Sequence, residues 1–222
     1  MLKIVVFDSG YGGEFFADQL EEELPIIKVI RVIDWRHADK ILASAKEARK
    51  LAKEALRPYI GSVDLIIFAN HLLTITSLKH FQRKYKNQRF TGMKLKAPDS
   101  TIMRDETIIL TTKAVTKTIN YHNYVFRLPR RPHTLAMDTW PNKIDDGELT
   151  EDEIKTTLLN SPTINNEAKL KEVILACSQF QDIKTVLRKI YGHNLKIYDS
   201  FDDTIRETCK ILKIRGSIKK LK

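Results

Sequence analysis

The chain has few of the features that mark a membrane protein, a disulfide scaffold or a zinc domain. No apolar run in its 222 residues approaches the roughly 18 that a spanning helix needs. The apolar stretch 2–7 is too short for the core of a secretion signal, so a cytoplasmic protein is expected. Two cysteines, Cys177 and Cys209, cannot build a disulfide framework, and no Cys/His cluster has zinc-ligand spacing. A dinucleotide-type G-x-G-x-x-G is also missing. Acids are absent from two stretches of a chain whose net charge is +10. Residues 79–96 carry Lys79, Arg83, Lys84, Lys86, Arg89, Lys94 and Lys96, interleaved with His80, Phe81, Tyr85 and Phe90. Residues 210–222, from Lys210 to the terminal Lys222, are similarly basic. Such tracts either contact an anionic partner, nucleic acid included, or are simply solvated.

What is present is organised around residues 3–13, Lys-Ile-Val-Val-Phe-Asp-Ser-Gly-Tyr-Gly-Gly. Ile4, Val5, Val6 and Phe7 form the continuous apolar run of a strand buried on both faces of a parallel sheet. Asp8 and Ser9 stop the run; both are good helix N-caps, and Gly10, Gly12 and Gly13 permit a tight turn into a helix over 14–23. A carboxylate and a hydroxyl therefore sit at the carboxyl end of a first strand, where open α/β sheets bind ligands. The plainer alternative is that these residues only cap a helix and turn the chain.

The pattern continues as strand 26–33, helix 41–59 and strand 63–68, the last ending in Ala69-Asn70-His71. Helix 72–85 and a short strand at 92–96 follow. The order then restarts: strand 107–110 delivers Thr111-Thr112 to a helix beginning near Lys113, and 134–139 is a weak strand. Thr150 and Glu153 form a capping box. Strand 173–176 ends in Cys177-Ser178-Gln179, and helix 182–191, strand 195–198 and helix 202–212 complete the chain. Alternating strands and helices with short connections predict parallel sheets, an α/β protein of two similar lobes with a ligand cleft between them. The expected division is 1–95 plus 199–222 for the first lobe and 96–198 for the second.

Phe7-Asp8-Ser9-Gly10 with Gly12-Gly13, the strand end Ala69-Asn70, the Leu110-Thr111-Thr112-Lys113-Ala114 turn and the Leu175-Ala176-Cys177-Ser178 strand end occur in the order seen in one family. In these motifs the chain resembles the aspartate/glutamate racemase superfamily, and its glutamate racemase branch in particular. The resemblance implies two α/β lobes around a small amino acid or related carboxylate. It also implies a cofactor-independent isomerase with a cysteine from each lobe on opposite faces of the α-carbon, serving amino-acid metabolism as a cell-wall precursor enzyme. It is compatible with a homodimer. Two proton carriers are needed because a planar carbanion loses its proton on one face and regains one on the other, and a thiol is readily tuned for that work.

Carried over position by position, the resemblance names Cys177, His71 and Asp8 as candidate catalytic residues. Ser9, Asn70, Thr112 and Ser178 become candidate substrate-binding residues. The chain departs from the pattern at five places. Ala69 stands where the resemblance expects the first cysteine, His71 replaces a substrate-binding threonine, Val115 stands for a second threonine with Thr116 adjacent, Gln179 replaces a histidine, and Asp34-Trp35-Arg36-His37-Ala38-Asp39-Lys40 has no counterpart of Pro-Tyr-Gly. Three readings follow: a racemase with His71 opposite Cys177, a single-cysteine decarboxylase or isomerase that protonates one face, and an inactive racemase-like binding protein with an anionic partner. Plainer roles also stand: His71 as a surface or cap histidine, Cys177 as an inert buried thiol, and Cys209 as core.

Overall fold

In the computed structural model, residues 1–43, 45–93, 106–118, 121, 132–161 and 170–214 are described. The first strand-helix series is β1 (Leu2–Asp8), α1 (Tyr11–Glu23), β2 (Ile27–Ile33), α2 (Ala38–Ala43), α3 (Ala45–Leu56), β3 (Leu65–Phe68), α4 (His71–Lys84) and β4 (Phe90–Gly92). The second is β5 (Thr107–Thr111), α5 (Lys113–Thr116), β6 (His133–Ala136), α6 (Trp140–Asp145), α7 (Glu151–Leu159), β7 (Glu172–Leu175), α8 (Lys184–Tyr191) and β8 (Lys196–Tyr198), after which α9 (Phe201–Leu212) follows. Short 3₁₀ turns occur at Trp35–His37 and Ser178–Gln181.

The chain divides into two compact units, one of Met1–Lys94 with Ser200–Lys222, the other of Leu95–Asp199. Each holds a four-stranded, all-parallel sheet, in the orders β2-β1-β3-β4 and β6-β5-β7-β8. The α/β class and the repeat between the two halves are as expected from the sequence.

In the first unit the central strand is buried on both sides, and its alternation decides what each face receives. Ile4 and Val6 pack with Phe16, Leu20, Phe201 and Ile205, so α1 and α9 cover one face. Val5 and Phe7 pack with Ala48, Leu51, Leu73 and Phe81, so α3 and α4 cover the other. Phe68, Phe81 and Phe90 stack edge-on or tilted at centroid distances of 5.1 to 6.1 Å. Helix α1 is tied to β2 through Arg31, which pairs with Glu14, Asp18 and Glu21 along one stripe of the helix. In the second unit Ile108, Leu110, Val173 and Leu175 pack against Trp140, Ile154, Leu158, Phe180 and Leu187.

Several boundaries moved. The strand expected at 92–96 lies at Phe90–Gly92, because Phe90 belongs to the aromatic cluster and pairs with Ile66; residues 94–96 lie outside the described residues. The expected helix 41–59 is two helices, the second ending at Leu56 ahead of Pro58, which cannot donate to a continuing helix. The helix at Lys113 is a single turn, and the one expected from 182 begins at Lys184. Thr150 caps α7 as expected, accepting from Glu153 N at 3.2 Å.

Candidate functional site

In each sheet the chain leaves the first strand toward one neighbour and crosses back over it to the third, so the strand order reverses between those two strands. Ligands in open α/β sheets bind beyond the carboxyl ends at that reversal. The two strand ends concerned are Asp8 and Asn70 in the first unit, and Thr112 and Cys177 in the second.

Asp8 is buried, and its Oδ1 accepts from Ser9 N at 2.6 Å and from Asn70 Nδ2 at 2.9 Å. Asn70 uses the other end of its amide to cap α4, accepting from Leu73 N at 3.0 Å. The partners fix the orientation of that amide, since a backbone N–H only donates and a carboxylate only accepts. The expectation that Asp8 or Ser9 caps α1 is corrected: the N-cap is Gly10 and no side chain caps it, because the Asp8 carboxylate is turned to Ser9 N and Asn70. Gly13 makes this approach possible. A Cβ there would lie far inside van der Waals contact of Asp8 Cβ and 2.9 Å from Ile33 Cδ1.

His71 is the first residue of α4 and is buried. Its Nε2 lies 3.0 Å from Ser200 Oγ, just ahead of α9, so it is neither an exposed histidine nor the cap. Ser9 is likewise buried. Two further features of this edge were not singled out from the sequence. Asp34, whose N–H donates to Asp8 O at 2.9 Å, holds His37 Nδ1 at 2.9 Å from both carboxylate oxygens. Exposed Trp35 meets exposed Tyr11 edge-on at 4.4 Å between centroids. The Asp-x-x-His spacing immediately after a strand was the available signal for the first.

In the second unit Thr112 is the N-cap position of α5 with no side-chain cap bond, while Lys113 N donates to Asp138 Oδ1 at 2.6 Å. Cys177 is half-buried, and its thiol donates to Gln179 Oε1 at 3.1 Å. Buried Ser178 donates to the same oxygen at 3.2 Å. One glutamine oxygen thus orients a thiol and a hydroxyl at a strand end, a role the sequence reading did not give it. Cys209 is in the core cluster of the first unit, and burial pushes its thiol up from the ordinary value. Among the described residues no group of three or more His, Cys, Asp or Glu could hold a metal ion, and no helix is long and apolar enough to cross a membrane.

The strand registers align the two units residue by residue. Phe7 pairs with Phe68 and Leu110 with Leu175; then Ala69 N donates to Phe7 O and Ala176 N to Leu110 O, both at 2.8 Å. Ala69 therefore matches Ala176, and Asn70 matches Cys177. Both latter residues have extended backbone and stand at the N-cap of the following turn. It is Asn70, one position on from Ala69, that occupies the place of the thiol in the first unit. Ala69 itself is fully buried in the apolar cluster that also holds Met93 and Phe16.

No protein-family model matches the chain. It is 23% identical over 206 residues to a glutamate racemase of Clostridium perfringens, covering 90% of this chain and 79% of that one. The crystal structure of Escherichia coli glutamate racemase in complex with L-glutamate and the activator UDP-MurNAc-Ala superposes with a TM-score of 0.79 at 17% identity, covering 97% of this chain and 84% of that one. The Campylobacter jejuni glutamate racemase gives the same TM-score at 22% identity, covering all of this chain and 89% of that one. The two-sheet architecture thus matches the fold of the glutamate racemases. In sequence and in structure the chain is similar to glutamate racemases at low identity.

Proposed function

We propose that the protein acts at the Cα of a small acidic amino acid or related carboxylate by cofactor-independent proton transfer. Cys177 is the proton carrier on one face and His71 the candidate on the other. The observation that carries this reading is the convergence of Cys177, Ser178 and Gln179 on one hydrogen-bonded cluster at a strand's carboxyl end, in a chain homologous to glutamate racemases. In this reading Asp8, Ser9, Asn70, Thr112 and Ser178 bind the substrate's amino and carboxylate groups, with Asp8 held in place by Asn70. Proton removal at Cα needs a base within hydrogen-bond reach on the face attacked, and a thiolate meets that need.

A second reading, chemistry on one face only, as in a decarboxylase or isomerase, is favoured by Asn70 at the place that Cys177 holds in the second unit, because an amide neither takes up nor releases a proton at neutral pH. One experiment separates them. The protein is incubated in deuterated water with each enantiomer of glutamate and aspartate, and the Cα proton and optical rotation are followed. Exchange with inversion, lost in Cys177→Ala and His71→Asn, supports the two-carrier reading. Exchange of one enantiomer without inversion, unaffected by His71→Asn, supports the one-face reading. No exchange with any of the four substrates overturns the assignment of these acids as substrates.

A further inference from the structure

The second feature of the first unit lies away from the carboxyl ends of its strands. Helices α3 and α4 pack side by side on one face of the sheet, and Arg49 on α3 donates from Nη2 to Thr76 O on α4 at 2.8 Å. Residues three and four apart share a helix face. Arg49, Lys53 and Arg57, the last just past the helix end, therefore continue along the seam from one side. His80 and Arg83, with Lys84 beside them, continue it from the other. Glu47 and Glu54, the acids of α3, fall on a different stripe, about 100° around the helix at 100° per residue. Helix α4 has no acid. The positive field is felt locally: the proton affinity of His80 is lowered, first by partial burial and then by Arg49, Lys84, Arg83 and Lys53.

The seam runs into a hollow of about 450 Å³ at the amino ends of β3 and β4. Lys84, Tyr85, Lys86 and Asn87 line it, and no carboxylate does. Its walls are fixed. Buried Gln88 accepts from Gly61 N at 2.8 Å and donates to Val63 O and Arg89 O, both at 3.1 Å, so one side chain joins the two loops. The Lys84 ammonium lies 5.5 Å from the centre of the Tyr85 ring.

We infer that the α3–α4 seam and the hollow below it bind single-stranded nucleic acid, with phosphates along the cations and an unstacked base against Tyr85. Exposed cations spaced along two neighbouring helices suit a repeating anion, and an aromatic ring among lysines suits a base whose neighbours are phosphates. This surface includes α3, which the basic stretch 79–96 taken alone does not. It is independent of proton transfer at the strand ends.

The test is fluorescence anisotropy of a labelled 20-nucleotide single-stranded RNA with the full chain across a salt series. With four to five phosphates neutralised, the logarithm of the binding constant should fall against that of salt with a slope of about −3. The variant Lys53→Glu/Arg83→Glu/Lys84→Glu should bind at least tenfold more weakly with a shallower slope. The variant Lys28→Glu/Lys155→Glu/Arg188→Glu has the same net charge but places its changes elsewhere, and should keep the parent's affinity. All six side chains are exposed, and the single change Arg83→Glu gives the same comparison if the triple variant melts early. Equal weakening by both triple variants, tighter binding to a duplex of the same length, or binding to phosphatidylserine vesicles but not to RNA would each overturn the inference.

Discussion

Asn70 stands in the first sheet where Cys177 stands in the second, each reached from its strand by a single buried alanine. The amide has a structural task, since it caps α4 and holds the Asp8 carboxylate at 2.9 Å. A thiol at that point would not replace both bonds. The place that matches Cys177 is therefore also the place that positions the neighbouring acid.

Restoring the thiol should depend on which residue is replaced. If the parent exchanges on one face only, Asn70→Cys should convert that exchange into inversion of the substrate, while Ala69→Cys, whose side chain enters the apolar cluster, should behave as the parent. Losing the cap and the bond to Asp8 should lower the stability of Asn70→Cys by about 2 kcal/mol, read from a denaturant titration. Inversion gained by Ala69→Cys alone would refute the equivalence of Asn70 and Cys177.

Gly13→Ala tests the packing of α1 against the site. The added methyl collides with Asp8 Cβ and Ile33 Cδ1, so a loss of about 1–3 kcal/mol is expected, with weakened substrate binding. Gly147→Ala, where nothing lies within 4 Å of the added atom, should leave substrate binding unchanged despite its positive φ of 70°. Equal loss of binding in both would mean that Gly13 has no part in placing Asp8.

The two thiols should separate by reactivity. In native protein a disulfide reagent should titrate half-buried Cys177 and reach Cys209 only on unfolding. Burial raises the native pKa of Cys209 above that of the unfolded chain, so the native state keeps this proton longer. Stability should consequently fall as pH rises past the ordinary thiol range of about 8.5. Cys209→Ala should remove that component, measured by urea unfolding between about pH 7 and pH 10. Two thiols titrating at equal rates in the native protein would contradict the burial of Cys209.

Gln179→His places a proton acceptor beside Cys177 and Ser178. Alkylation of Cys177 by iodoacetamide at neutral pH should become faster, because an imidazole can take the thiol proton where an amide oxygen only accepts its hydrogen bond. An unchanged rate would show that Gln179 does not govern this thiol.

The strands β1, β3, β5 and β7 were legible because each contains a short apolar run closed by a polar residue, as at Phe7-Asp8 and Ala69-Asn70. The ends Asp8, Asn70, Thr112 and Cys177 were legible for the same reason: polar groups stood out against buried strands. The tasks of those groups were not, because they depend on partners distant in sequence. Asn70 finds Asp8 across 62 residues and His71 finds Ser200 across 129, separations that no periodicity encodes. The match of Asn70 with Cys177 was not legible because it is set by strand register and not by local letters. Gln179 was read only as a missing histidine, since a short-range bond from a thiol leaves no pattern in composition.

Helix α9 belongs to the first unit but follows the second in the chain, and this imposes an order on synthesis. When the ribosome has finished β4, one face of the first sheet has α1 but lacks Phe201, Ile205 and Cys209. The whole second unit must emerge before they arrive, a wait on the order of ten seconds at translation rates of about 5–20 residues per second. Throughout that interval Ile4, Val6 and Leu65 have only part of their cover, which gives a chaperone a defined apolar face to hold. His71 meets Ser200 only at the end of it, so the first strand-end cluster is completed last.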